Sequence, residues 1–153
     1  MNIDSSLKAQ AIEEAKKTLA KTELDTQKDL ALLLEDSSNE TKSSAGDKYE
    51  TGRAMIDLEK DKLYARLAQN TKLKRAFAEI QVSKISDTVE HGSLFSTNQG
   101  VYFISASLGQ INVNGLDIFC ISALSPIGKA AMGKKENEEF SFLNKKQTIK
   151  TVC

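Results

Sequence analysis

Tyr49, Ile56, Leu63, Asn70 and Phe77 recur every seven residues, with Leu67 and Leu73 filling between them. Such a repeat lays one continuous, mostly apolar stripe along an α-helix, because seven residues span almost two turns. An earlier segment repeats more loosely: Ile12, Leu19, Thr26 and Leu33 are also seven apart, with Leu7 and Leu30 nearby. Neither segment is apolar all round, so each stripe needs a partner, and the nearest one is the other helix. From Asp4 to Ile80 there is no proline, and Ala, Leu, Lys and Glu dominate, a composition that favours helix. Two helices of roughly 30 residues with a short connection make an antiparallel coiled-coil hairpin, each arm reaching on the order of 45 to 50 Å.

The connection falls in "SSNETKSSAGDKYETGRAM", Ser37 to Met55, and puts the tip of the hairpin near residues 37–48. Ser37, Ser38 and Asn39 are poor helix-interior residues, while Ser43 or Ser44 suits the N-cap of the second helix. Asp47 then meets the positive end of the helix dipole, and Gly46 supplies backbone freedom. Gly52 inside a helix costs about 1 kcal/mol against alanine, which points to close packing or a functional constraint there, packing being the simpler. Glu40, Asp47 and Glu50 gather at this tip, and Asp47 and Glu50 share a helix face. Paired carboxylates can hold a hard cation such as Mg²⁺. The simpler alternative is that they are helix-start acids paired locally by Lys42, Lys48 and Arg53.

Beyond His91 the period changes to two. Strands are expected at Ser93–Ser96, Val101–Ser107, Gln110–Val113 and Asp117–Ala123, with Asn114-Gly115 as a tight hairpin turn. Ser125 is a natural N-cap, Pro126 suits the first helical position, and Gly133 ends a short helix. Strands Glu139–Leu143 and Gln147–Val152 follow around a turn at Asn144–Lys146. The chain thus reads as α+β in two parts: a helical hairpin over 1–84 and a small antiparallel β domain with one short helix over 85–153.

Twenty-one basic and 21 acidic residues leave no formal charge, which removes the electrostatic case for a nucleic-acid binder. No apolar run approaches the roughly 18 to 20 residues that span a bilayer. The N-terminus carries acids early and lacks an apolar core, so a cytoplasmic location without membrane contact is expected. Cys120 sits in the alternating run "LDIFCISAL" and reads as a small buried hydrophobe, whereas Cys153 at the end is expected to fray. His91 is the sole histidine and there is no CxxC, so neither a zinc site nor any other cofactor is expected. Cys120 and His91 are the pair available for covalent catalysis, and no sequence feature brings them together. "GKAAMGKK" follows no strand–GxxxxGK–helix order and reads as a capped helix with solvated lysines. "KENEEF" reads as an exposed turn before a strand. An enzyme acting on its own is not expected.

The order of helical hairpin and then strand-rich domain resembles the GreA/GreB transcript-cleavage factors of bacteria. The resemblance sharpens at "ISALSPIGKAAMGKKENEEFSF", where Ser125, Pro126, Ile127, Gly128, Ala130, Gly133 and Lys134 match a strand–Ser-Pro–short helix–Gly-Lys element of that family. It implies an FKBP-like C-terminal domain, without implying prolyl isomerase activity. It also implies a monomer bound to bacterial RNA polymerase. The Ser125–Lys134 motif would dock at the rim of the secondary channel, and the tip would reach the active site and the nascent RNA 3′ end. In that family acidic tip residues help retain a shared Mg²⁺ in the polymerase. Aligning the family's tip tyrosine with Tyr49 puts Lys42 and Ala45 where those acids belong and Lys48 before the tyrosine, while Ser44 matches. Polymerase binding therefore carries over and the acids of cleavage stimulation do not. The tip version "KSSAGDKYETGRAM" resembles short GreA/GreB-like proteins of Bacteroidetes. The rival reading, from another class, is a non-catalytic adaptor whose helices dimerise.

Overall fold

The computed structural model describes residues 2–40 and 46–153, with the side chains of 37–40 and 46–49 left aside. Helix α1 spans Ser5–Glu40 and α2 spans Gly46–Ala78. The proposed N-caps Ser43 and Ser44 and the turn around them lie outside the described residues. At the start of α1, the Asp4 carboxylate accepts from the Leu7 amide at 2.9 Å and caps one of the four unpaired N–H groups. Strands follow at Leu94–Thr97 (β1), Val101–Ile104 (β2), Gly109–Val113 (β3), Leu116–Ile121 (β4), Glu139–Phe142 (β5) and Lys145–Val152 (β6). A short helix, α3, spans Pro126–Ala131.

The described chain divides into two compact units, Thr18–Lys72 and Met1–Lys17 with Leu73–Cys153. The first is a helical pair. Leu19, Thr26, Leu63 and Asn70 are buried in it, and Leu30, Leu33, Ile56 and Leu67 are half-buried, as the two stripes require. The pairing is antiparallel. Asn70 Nδ2 donates to the Leu19 carbonyl at 3.0 Å, while residues 29–36 of α1 share a groove with 59–66 of α2. Asn70 and Thr26 are polar positions in the seam, and both are satisfied: Thr26 Oγ1 donates to the Thr22 carbonyl at 2.6 Å. Gly52 is half-buried, four residues from Ile56 on the same face.

The second unit is built on a six-stranded sheet in the order β3-β4-β2-β1-β6-β5. The expected strands form, but the sheet is mixed rather than antiparallel throughout, because β2 and β4 run parallel. β4 inserts between β2 and its sequence neighbour β3, pairs antiparallel with β3, and so must align with β2. The last hairpin turns one residue earlier than expected, at Leu143 and Asn144, both with positive φ. Two successive left-handed residues make the tight turn that matches strand twist, so β6 starts at Lys145 rather than Gln147. Cys153 does not fray. Its amide and carbonyl both pair with Leu94 at 2.8 and 2.9 Å, extending the β1–β6 ladder, and its side chain is buried.

One face of the sheet packs Phe95, Tyr102, Ile104, Phe140 and Ile149 against Ala131, with Ile127 and Ala130 of α3 alongside. On the other face Phe103 meets Phe77 edge-on at a centroid distance of 6.2 Å. The first turns of α1 contribute buried Leu7, Ala11, Ile12 and Ala15 to this unit. Lys8 is also buried, and its Nζ donates to the Lys84 carbonyl at 3.2 Å, tethering the strand-free segment after α2. Burial lowers its pKa, opposed by Cys153 and Glu90 and reinforced by Lys84. Asn70→Ala removes a buried interhelical hydrogen bond and is expected to cost about 1–3 kcal/mol. Urea unfolding followed by far-UV circular dichroism measures it, with exposed Gln69→Ala as a control expected within about 0.5 kcal/mol.

Candidate functional site

The residues singled out by sequence fall on two separate elements. At the start of α2, Glu50 and Arg53 are three apart on one helix face and both exposed. Glu40, Lys42 and Asp47 lie outside the residues whose side chains are described. Among the described residues no group of three or more His, Cys, Asp or Glu side chains is placed to hold a metal ion. Of the tip acids Glu50 alone has a described side chain, and its near neighbour on that face is the Arg53 guanidinium.

The Ser125–Lys134 motif is a built corner between β4 and β5. Ser125 Oγ donates to the Ser122 carbonyl at 2.6 Å and accepts from the Gly128 amide at 3.1 Å, closing the first turn of α3. Pro126 follows at the first helical position, where its missing N–H costs nothing. Gly128 is required by close approach: a Cβ there would lie 2.1 Å from the Ser122 carbonyl oxygen. Gly133 adopts φ +80°, and its amide donates to the Val89 carbonyl at 2.8 Å. The Val89 amide returns a bond to the Lys134 carbonyl at 2.8 Å, so the corner is clamped to the strand-free segment before β1. Ile127 and Ala130 face the core.

Most of the motif therefore shapes the corner instead of facing outward. What the corner exposes is Leu124, at 79%, with Pro126, Lys129 and Met132. Lys129 is one of the solvated lysines expected in "GKAAMGKK", whereas Leu124 and Met132 are not singled out by the sequence. Lys129 lies on α3 and Met132 is its C-cap, three residues on, while Ala131 is buried, so helical spacing carried part of that signal. Beyond the corner, "KENEEF" forms the expected turn, in which the Glu138 carboxylate accepts from the Lys135 amide at 2.5 Å.

The covalent-catalysis pair does not assemble. Cys120 is buried, and desolvation pushes its thiol up to about 11, with a hydrogen bond to Ser105 opposing the shift. His91 is exposed. An open groove of about 640 Å³ has Asp4, Ser96, Lys150 and Thr151 among its lining residues, and within it Ser96 Oγ and Thr151 Oγ1 share a hydrogen bond at 2.5 Å.

No family model matches the chain, and no curated protein matches it. Solved structures similar to it include the following two. The structure of the transcription factor Gfh1 is 15% identical, covering 99% of this chain and 92% of that one, with a TM-score of 0.31. GreA factor homolog 1 (Gfh1) of Thermus thermophilus is 16% identical over 99% and 94% of the two chains, also at 0.31. With so low a superposition score, the functional reading rests on the chain's own elements.

Both thiols are buried, and at pH 8 Cys120 is roughly one part in a thousand thiolate. Native protein is therefore expected to react with a disulfide reagent far more slowly than urea-unfolded protein, which releases both equivalents at once. Rapid native labelling at Cys120 would restore the nucleophile reading.

Proposed function

We propose that this chain is a transcription factor of the GreA/GreB type that binds bacterial RNA polymerase. In this proposal its sheet domain seats at the rim of the secondary channel and its helical pair is directed inward. The observation that carries it is a conjunction: a Ser-Pro-Ile-Gly corner built as a rigid, exposed contact, in a chain that also holds paired helices of 36 and 33 residues. A helix of 36 residues is about 54 Å long, enough to carry residues 37–49 deep into a channel. Leu124, Met132 and Lys129 supply the apolar centre and charged edge of a protein–protein contact. A formal charge of zero suits a protein partner better than bare nucleic acid.

With Lys42 and Ala45 at the positions of the family's acids, no ligand set for Mg²⁺ and no step of RNA cleavage is assigned to this chain. Its effect on the polymerase is occupancy of the channel beside the nascent RNA 3′ end. It needs no cofactor and has no enzymatic activity of its own. No helix among the described residues is long and apolar enough to cross a membrane, and a cytoplasmic location follows from the polymerase partner.

One observation favours a second reading. Leu24, Leu32, Leu34, Met55, Leu58 and Tyr64 are exposed on the helical unit, and such side chains support dimerising helices in an adaptor. A single experiment separates the two. The purified chain is mixed with bacterial RNA polymerase core and examined by pull-down and sedimentation velocity, beside a Leu124→Glu/Met132→Glu variant. A monomer that binds polymerase is expected, with the variant weakened at least about tenfold. A stable dimer that leaves polymerase unbound would overturn the proposal in favour of the adaptor.

A further inference from the structure

Asn114-Gly115 is the one Asn-Gly pair in the chain. It forms the exposed turn between β3 and β4, with φ of 52° at Asn114 and 88° at Gly115. Asn-Gly is the dipeptide most prone to spontaneous deamidation, because glycine offers no side chain to shield its own amide nitrogen. In the reaction the Gly115 nitrogen loses its proton and attacks Cγ of Asn114. A new C–N bond closes a five-membered succinimide, and the side-chain nitrogen leaves as ammonia. Water then opens the ring at either carbonyl, giving aspartate or isoaspartate. The sum is asparagine plus water to the acid plus ammonia, and no other reactant is needed.

The fold restrains both reacting groups. The Gly115 N–H donates to Asn112 Oδ1 at 3.0 Å, and Asn112 is itself fixed by donating Nδ2 to Asp117 Oδ1 at 2.7 Å. The leaving nitrogen, Asn114 Nδ2, donates to Gln10 Oε1 at 2.8 Å, so the carboxamide points to α1 and away from its own backbone. Attack requires both bonds to break. We propose that Asn114-Gly115 is a latent deamidation site held unreactive by Gln10 and Asn112, and that its conversion severs the side-chain link between α1 and the β3–β4 hairpin.

The consequence follows from the product's chemistry. A carboxylate at position 114 has no N–H to give Gln10 Oε1. It also places a negative charge in the groove lined by Glu13, Glu14 and Lys17, where the two carboxylates outnumber the one cation. Modification would thus remove the hydrogen bond that Asn114 donates to Gln10, and the isoaspartate product would also lengthen the backbone of the β3–β4 turn by one methylene.

The test follows residue 114 by peptide mass spectrometry and isoaspartyl methyltransferase labelling, using the full chain in mildly alkaline buffer. The rate is compared between native wild type, urea-unfolded wild type, and the folded variants Gln10→Ala and Asn112→Ala. Native wild type is expected to convert slowest, the unfolded chain fastest. Each variant should convert about 2- to 10-fold faster than native wild type, the factor for losing one ordinary hydrogen bond. Conversion in native wild type as fast as in the unfolded chain would overturn the proposal. So would unchanged rates in both variants, or no conversion of residue 114 even when unfolded.

Discussion

The edge-on contact of Phe77 with Phe103 is where a helical stripe becomes part of a sheet core. Phe77 is the last member of the heptad that begins at Tyr49, and the positions before it, Leu63 and Asn70, are buried in the helical pair. The same stripe therefore serves two units in succession, first against another helix and then against β2. The first helix does likewise: Leu7, Ala11, Ile12 and Ala15 are buried with the sheet, while Leu19 and Thr26 are buried in the pair. Without Phe77 and the first turns of α1, a sheet domain this small would lack one of its two layers.

Inside the pair, specificity comes from a polar residue. Asn70 stands where the heptad would place an apolar side chain, and its amide finds a partner in the Leu19 carbonyl. A buried amide that is satisfied in one alignment and stranded in others fixes register at some cost in stability. Helical periodicity placed Asn70 on the stripe, but only the folded pair shows which carbonyl it meets.

The elements that were legible in the sequence are those set by local rules. Seven-residue spacing gave both helices, alternation gave all six strands, and Ser125-Pro126 with Gly133 bounded α3. What was not legible depends on partners distant in the chain. The parallel β2–β4 pairing follows from β4 inserting between two strands, which no local pattern encodes. Cys153 looked unconstrained because its restraint is Leu94, far away in sequence. The Ser125–Lys134 motif was legible as a unit, yet its matching residues turned out to shape the corner while Leu124 and Met132 present it. Motif residues that hold a backbone in place read the same in sequence as residues that touch a partner.

The proposed function divides between those two elements, a corner that docks and a helical pair that reaches. Docking draws on exposed apolar side chains around a rigid turn, and reach draws on the length of α1 and α2. In that proposal chemistry at the tip is left to the polymerase, since lysine and alanine stand at positions 42 and 45, where the GreA/GreB resemblance would place acids. The most direct measurement is site-specific photo-crosslinking from position 50, which is exposed at the start of α2, in a halted transcription complex. The predicted result is a crosslink to the nascent RNA 3′ end or to polymerase residues lining the active site. Crosslinks confined to a second copy of this chain, or to the outer surface of the polymerase, would contradict it.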